Sequence, residues 1–238
     1  TSRPKLYAND WQQVPRTPKF TNFMRTKLFS WMLVFGLAVF LTASANAAQE
    51  RVAGRILAAK VRGTVTALHK ADNVTRELHD NDAISEGYVV STGAKSSVVL
   101  LFANGSAVNL GADSSLSIDE FLMNPFDAKY SVADATEEPS TSVTKLSLAR
   151  GEFVANVKHL HRDNGSTYTV ATPVGAAGIR GTTFRIVFHP DVAGQLGYTL
   201  GTSEGLVAFT GANGLERAVA GGKQVQATFD VAPGTTNF

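Results

Sequence analysis

Residues Val98–Leu110 read VVLLFANGSAVNL. Two apolar runs flank Asn104-Gly105, a pair that readily adopts the positive φ angles of a type I′ turn, so the stretch predicts a β-hairpin. Immediately downstream, Leu116 and Ile118 alternate with Ser115, Ser117 and Asp119. That spacing of two describes a strand with one buried and one wet face, continuing the same sheet.

The same pattern extends in both directions. From Arg55 onward, apolar residues recur at spacing two in short bursts separated by Gly, Asn, Asp and Ser, and no long stretch keeps the helical period. Further bursts are Leu146 and Leu148, then Phe153, Ala155 and Val157, then Tyr168 and Val170, then Phe184, Ile186 and Phe188. Residues 123–142, with Pro125, Glu137-Glu138 and Pro139, break the pattern and read as an exposed excursion. Gly205–Phe209, a turn at Gly211–Gly214 and Ala218–Val225 read as strand, turn, strand, before a frayed tail at 231–238. Short strands at this density predict an all-β fold, a sandwich or a flattened β-solenoid, over residues 48–230.

Composition narrows the function classes. The 238 residues carry 22 Lys+Arg, 20 Asp+Glu and no cysteine. Without cysteine there is no disulfide, thiolate metal site, cysteine nucleophile or lipidated cysteine anchor. The basic pI of 8.9 hints at nucleic acid, but the charge is unevenly placed. Arg3, Lys5, Arg16, Lys19, Arg25 and Lys27 precede residue 48 beside one acid, Asp10, leaving 16 cations and 19 anions in the remainder. The expected working domain is at minus three, and no nucleic-acid partner is expected.

Arg25 and Lys27 precede the apolar run Leu28–Leu41, which gives way to Ala45-Asn46-Ala47. This is the three-part pattern of a secretory signal peptide over residues 24–47, with an A-x-A cleavage site. Fourteen helical residues span about 21 Å, short of the roughly 30 Å hydrocarbon core, so no stable membrane insertion is expected after cleavage. Met24 stands where such a leader normally begins, which marks residues 1–23 as an upstream extension. The mature chain is expected to be periplasmic or extracellular and not lipid-anchored.

Rival chemistries find little support. His159-x-His161 would set two imidazoles on one side of a strand, a spacing that chelates a metal when a third ligand arrives. Their setting, VKHLHRDNGS, reads as a strand running into a hydrated turn, so a surface pair is expected. The dense acids are Asp80-x-Asp82, Asp119-Glu120 and Glu137-Glu138. Neighbours on a strand point to opposite faces, so Asp119 and Glu120 should not act as a catalytic pair. Asp163–Ser166 and Asp113-Ser114 have too few carboxylates for calcium and read as turns. No nucleophile elbow or phosphate-binding loop occurs, and neither catalytic residues, metal nor cofactor is expected.

Three stretches, Asp82–Ile118, Leu146–Phe153 and Tyr168–Ile186, together resemble the FecR domain. The first carries the turn Asn104-Gly105-Ser106 and then Gly111; the third carries Thr172-Pro173 and then Gly178-Ile179-Arg180-Gly181-Thr182. Asn104 replaces the aspartate usual in the family, and Thr183 stands where an acid is common. The resemblance runs from Gly54 to Phe188, with 205–225 similar to the hairpin that often follows. These motif positions are expected to be structural. Gly178 and Gly181 should bracket a tight turn whose carbonyls the guanidinium of Arg180 clamps.

The resemblance implies an envelope protein. Well-known members are membrane-spanning regulators that relay an outer-membrane signal to a cytoplasmic sigma-factor-binding domain. Only 27 residues precede the apolar run, so that arm is expected to be absent. The expected activity is binding of an envelope protein or glycan, in signalling; the alternative is a self-assembling structural scaffold of stacked hairpins.

Overall fold

The computed structural model describes residues 50–127, 135–190 and 195–230. The expected leader (24–47), the extension 1–23, the tail 231–238 and the middle of the 123–142 excursion lie outside the described residues. Among the described residues the fold is all-β, with seventeen strands and one 3₁₀ turn at Arg162–Asn164.

The strands divide between two sheets. The first runs, in space, β4 (Val74–Glu77), β3 (Val65–His69), β6 (Tyr88–Thr92), β9 (Ser115–Met123), the first half of β10 (Ser142–Asn156), β11 (Thr167–Thr172), β12 (Gly175–Ile179), β15 (Leu206–Gly211) and β16 (Glu216–Ala220). The short β1 (Val52–Ala53) also pairs with β9. The second sheet runs β5 (Ala83–Ile84), β2 (Ile56–Arg62), β7 (Ser97–Phe102), β8 (Ala107–Leu110), the second half of β10, β13 (Thr183–Pro190), β14 (Gln195–Glu204) and β17 (Lys223–Asp230). Among the described residues these ladders do not close into a barrel. The chain advances from one edge to the other while switching sheets, so a sandwich by layers is a flattened solenoid by winding.

Alternation decides which face of each strand enters the core. On β7, Val98, Leu100 and Phe102 are buried while Leu101 is exposed. Rings from opposite sheets meet between the layers: Phe102 lies edge-on to Phe121 and Tyr198 stacks on Phe209, both at 5.0 Å. Burial pushes the Tyr168 and Tyr198 phenols up, so both stay neutral in ordinary buffers.

The structure corrects several local expectations. In the 98–110 hairpin only Gly105 has positive φ (+86°), and its N–H donates to the Phe102 carbonyl at 2.9 Å while Phe102 N–H donates to Ser106 O. This is a three-residue loop with a glycine bulge rather than a type I′ turn. The segment 218–225 is not one strand: β16 ends at Ala220, the chain reverses at Gly221-Gly222, and β17 starts at Lys223 in the other sheet. On β9 the phase of burial changes between Ile118 and Phe121, both buried, because Asp119 is the extra residue of a bulge against Lys145 and Leu146. Asp119 and Glu120 therefore both point outward, each held by its own lysine: Lys70 to Asp119 at 2.9 Å and Lys145 to Glu120 at 2.5 Å.

One strand serves both sheets. β10 pairs with β9 and β11 up to Arg150, then with β8 and β13 from Gly151 onward. The change of layer occurs at Gly151, with φ of +109°. A Cβ there would overlap the side chain and Cα of Ser114. Ser114 is fully buried and its Oγ accepts from Glu152 N–H at 3.0 Å, so it has nowhere to go.

Gly151→Ala is expected to lower stability by about 2–3 kcal/mol in urea denaturation, from strain and collision together. Gly222→Ala, also at positive φ but with no atom near the added methyl, should lose about 1 kcal/mol. The pH dependence of stability tests the bulge. Partial burial pushes the Asp119 carboxyl up, but hydrogen bonds from Ser117, Ser147 and Lys70 outweigh it and hold the group below 3.8. Its contribution is complete above that ordinary value and is lost as pH falls through the lowered folded one. Asp119→Asn should therefore flatten the acid limb of a stability–pH curve.

Candidate functional site

The family-motif positions are spread over both ends of the sheets, Thr172 and Gly111 at one end of their strands and Asn104 and Gly181 at the other. Thr172 and Gly175 close a two-residue turn, with Pro173 supplying a fixed φ at its first corner and the Thr172 hydroxyl donating to Gly175 O at 2.8 Å. Gly111 follows β8; its N–H donates to Glu152 O, and its carbonyl accepts the Thr92 hydroxyl at 2.5 Å. Thr182 is buried, and its carbonyl accepts from Val157 N–H at 2.9 Å.

Gly178 does not bracket the turn. It lies inside β12, opposite Thr169 and Ala208, with only ordinary contact where a Cβ would stand. Gly181 alone makes the turn, at φ +69°, where a side chain would press on the His159 backbone at 3.0 Å. Nor does Arg180 clamp the turn carbonyls. It is exposed and makes no hydrogen bond or ion pair among the described residues.

Arg180 instead faces a cleft of about 440 Å³ lined by Glu137, His159, His161, Arg162 and Asp163. The two histidines do fall on one side of their segment, with buried Leu160 between them. His161 Nε2 lies 3.6 Å from a Glu137 carboxylate oxygen. Among the described residues no group of three or more histidines and acids is arranged to hold a metal ion. The cleft thus sets two guanidiniums and two imidazoles beside two carboxylates, Glu137 and Asp163, with Glu137 next to His161.

What fixes this cleft is a residue that the sequence placed in an exposed excursion. Glu138 is buried, its side chain wholly so. Its Oε2 accepts from the Ser142 hydroxyl at 2.5 Å, and its Oε1 accepts from His161 N–H at 2.7 Å and from the Ser166 hydroxyl. Ser166 Oγ also accepts from Ser142 N–H, and Ser142 Oγ accepts from the Asn104 side-chain amide at 3.2 Å. Asn104, fully buried, accepts from Ser106 N–H through its own carbonyl. The backbone reinforces this: Glu138 N–H donates to His159 O, and His159 N–H to Thr136 O. One carboxylate thereby joins the 103–105 loop, the start of β10 and the 3₁₀ turn. Asp163–Ser166 is indeed a turn, with Gly165 at φ +89°.

Burying a carboxylate is tolerable only when its lone pairs are satisfied. Glu138→Ala would strand two hydroxyls and an amide and should cost about 3 kcal/mol in urea denaturation. Glu137→Ala, exposed beside it, should change stability by only about 0.5 kcal/mol.

Comparison with known proteins agrees with this motif set. The family model described as FecR protein matches residues 88–207, half of the chain. No curated protein matches it. Two solved structures of a proposed anti-sigma factor from Parabacteroides distasonis resemble it at 11% identity with a TM-score of 0.41, covering 60% of this chain and 59% of that one. The chain thus spans less than two thirds of that protein. With its defining motifs inside the matched span, the chain belongs to the FecR protein family.

Proposed function

We propose that this protein is an exported binding module of the cell envelope that recognises a protein or glycan partner in signalling, and that Arg180 presents the contact. The observation that carries this reading is an exposed guanidinium, unpaired among the described residues, at the rim of a cleft whose walls are fixed by buried hydrogen bonds. The turn fixes the Arg180 backbone, and its guanidinium offers five donors in a plane, which suits a carboxylate or a sugar hydroxyl pair. His159 and His161 add imidazole hydrogen-bonding groups to the same cleft.

Export follows from the leader pattern at 24–47, and the working domain's slightly negative charge fits a soluble partner better than nucleic acid. No helix among the described residues is long and apolar enough to cross a membrane.

The test uses the chain with a C-terminal tag, expressed in a bacterial host and fractionated, then used as bait in envelope extracts. A periplasmic product lacking residues 24–47 is expected; a cytoplasmic product retaining them would overturn export. Arg180→Glu should reduce recovery of the captured partner about tenfold, equivalent to 1.4 kcal/mol, with an unchanged melting temperature. Undiminished capture would remove Arg180 from the contact.

A further inference from the structure

On the outer face of the second sheet lies a groove of about 550 Å³ that shares no lining residue with the Arg180 cleft. Its floor is apolar and crosses the strands. Leu57 on β2 is opposite Leu101 on β7, which is opposite Ala107 on β8, which is opposite Asn156 on β10. Leu101 stands 43% exposed in the middle of a strand. Ala103 and Gly105, in the loop closed by the Asn104 side chain, form the wall.

Two cations frame this floor, and among the described residues no acid lines it. Arg55 precedes β2, with its carbonyl accepting from Ala103 N–H, so it flanks the hairpin loop on one side. Lys158 follows β10 and flanks the loop on the other. Neither side chain has a hydrogen bond or ion pair among the described residues. β2 and β10 are separated by β7 and β8, three inter-strand spacings, which puts the two backbones about 14 Å apart.

The geometry points to a peptide-binding groove that takes an extended segment of a partner protein in which acidic residues flank a short apolar run. Four steps of extended chain cover about 13 Å, so carboxylates four residues apart reach both cations while the side chain midway between them, on the same face of the strand, covers Leu57 and Leu101. A single-chain fatty acid has one charged head and would leave one cation unmatched. A basic segment would meet like charge at both ends. This groove is separate from the Arg180 cleft and its occupancy does not depend on that contact.

Fluorescence anisotropy of fluorescein-labelled Glu-Leu-Val-Leu-Glu amide against the full chain tests it. Saturable binding is expected, weakening as salt rises. The double variant Arg55→Glu, Lys158→Glu should weaken it about tenfold or more. Leu101→Ser should also weaken it, with an unchanged melting curve, because Leu101 is outside the core. Arg180→Glu should leave binding intact, which separates this result from the fate of the Arg180 reading. Equal binding of Lys-Leu-Val-Leu-Lys amide, no binding of the acidic peptide, or displacement of that peptide by dodecanoate at lower concentration would each overturn the proposal.

Discussion

A carboxylate withdrawn from water is the constraint on which the functional end of this molecule depends. Glu138 has no water to solvate it, so its oxygens must find donors, and those come from residues 142, 161 and 166. Satisfying one side chain therefore determines the path of three separate segments. The alternative, an apolar residue at 138, would fill space without dictating direction. Hydrogen bonds cost little to keep and much to leave unmade, which makes such a set specific beyond its net stability.

The second constraint is the shared strand. Because β10 belongs to both sheets, its turn at Gly151 fixes the offset of the layers, and the aromatic contacts between them follow from that offset. The exposed edge of the first sheet at β4 is short and carries Arg76 and Glu77. Charged, short edges resist pairing with another chain, so the edge at β4 gives no support to assembly by stacking.

The fold was legible because alternation is a local signal: Leu116 and Ile118, or Phe184, Ile186 and Phe188, point inward by spacing alone. The failures share one cause, which is that a distant partner decides the outcome. Asp119 and Glu120 read as opposite-facing until a bulge, visible only against Lys145, turns both outward. Glu138 sits among prolines and hydroxyl residues and carries no local mark of burial; its donor on Ser166 is 28 residues away. The glycines on either side of Arg180 suggest a turn that it clamps, yet Gly178 is a strand residue and Gly181 achieves the turn unaided. The family motifs located the right region without revealing which residue faces outward.

The same buried set also explains why two separate surfaces can both be well defined. Asn104 shapes the loop that walls the apolar groove through Ser106 N–H, and it donates to Ser142, whose hydroxyl donates to Glu138. Glu138 in turn accepts from the backbone of His161, which lines the Arg180 cleft. Each surface thus borrows its rigidity from one hydrogen-bonded chain running between the layers, while the side chains that would meet a partner (Arg55, Lys158 and Arg180) stand outside it. A scaffold so divided can exchange its exposed cations at little cost to folding, whereas Asn104, Ser142, Glu138 and Ser166 can change only together. At 104 asparagine does what an ionised aspartate could do only in part: its carbonyl closes the turn on Ser106 N–H, and its amide donates to Ser142, which joins the loop to the buried set.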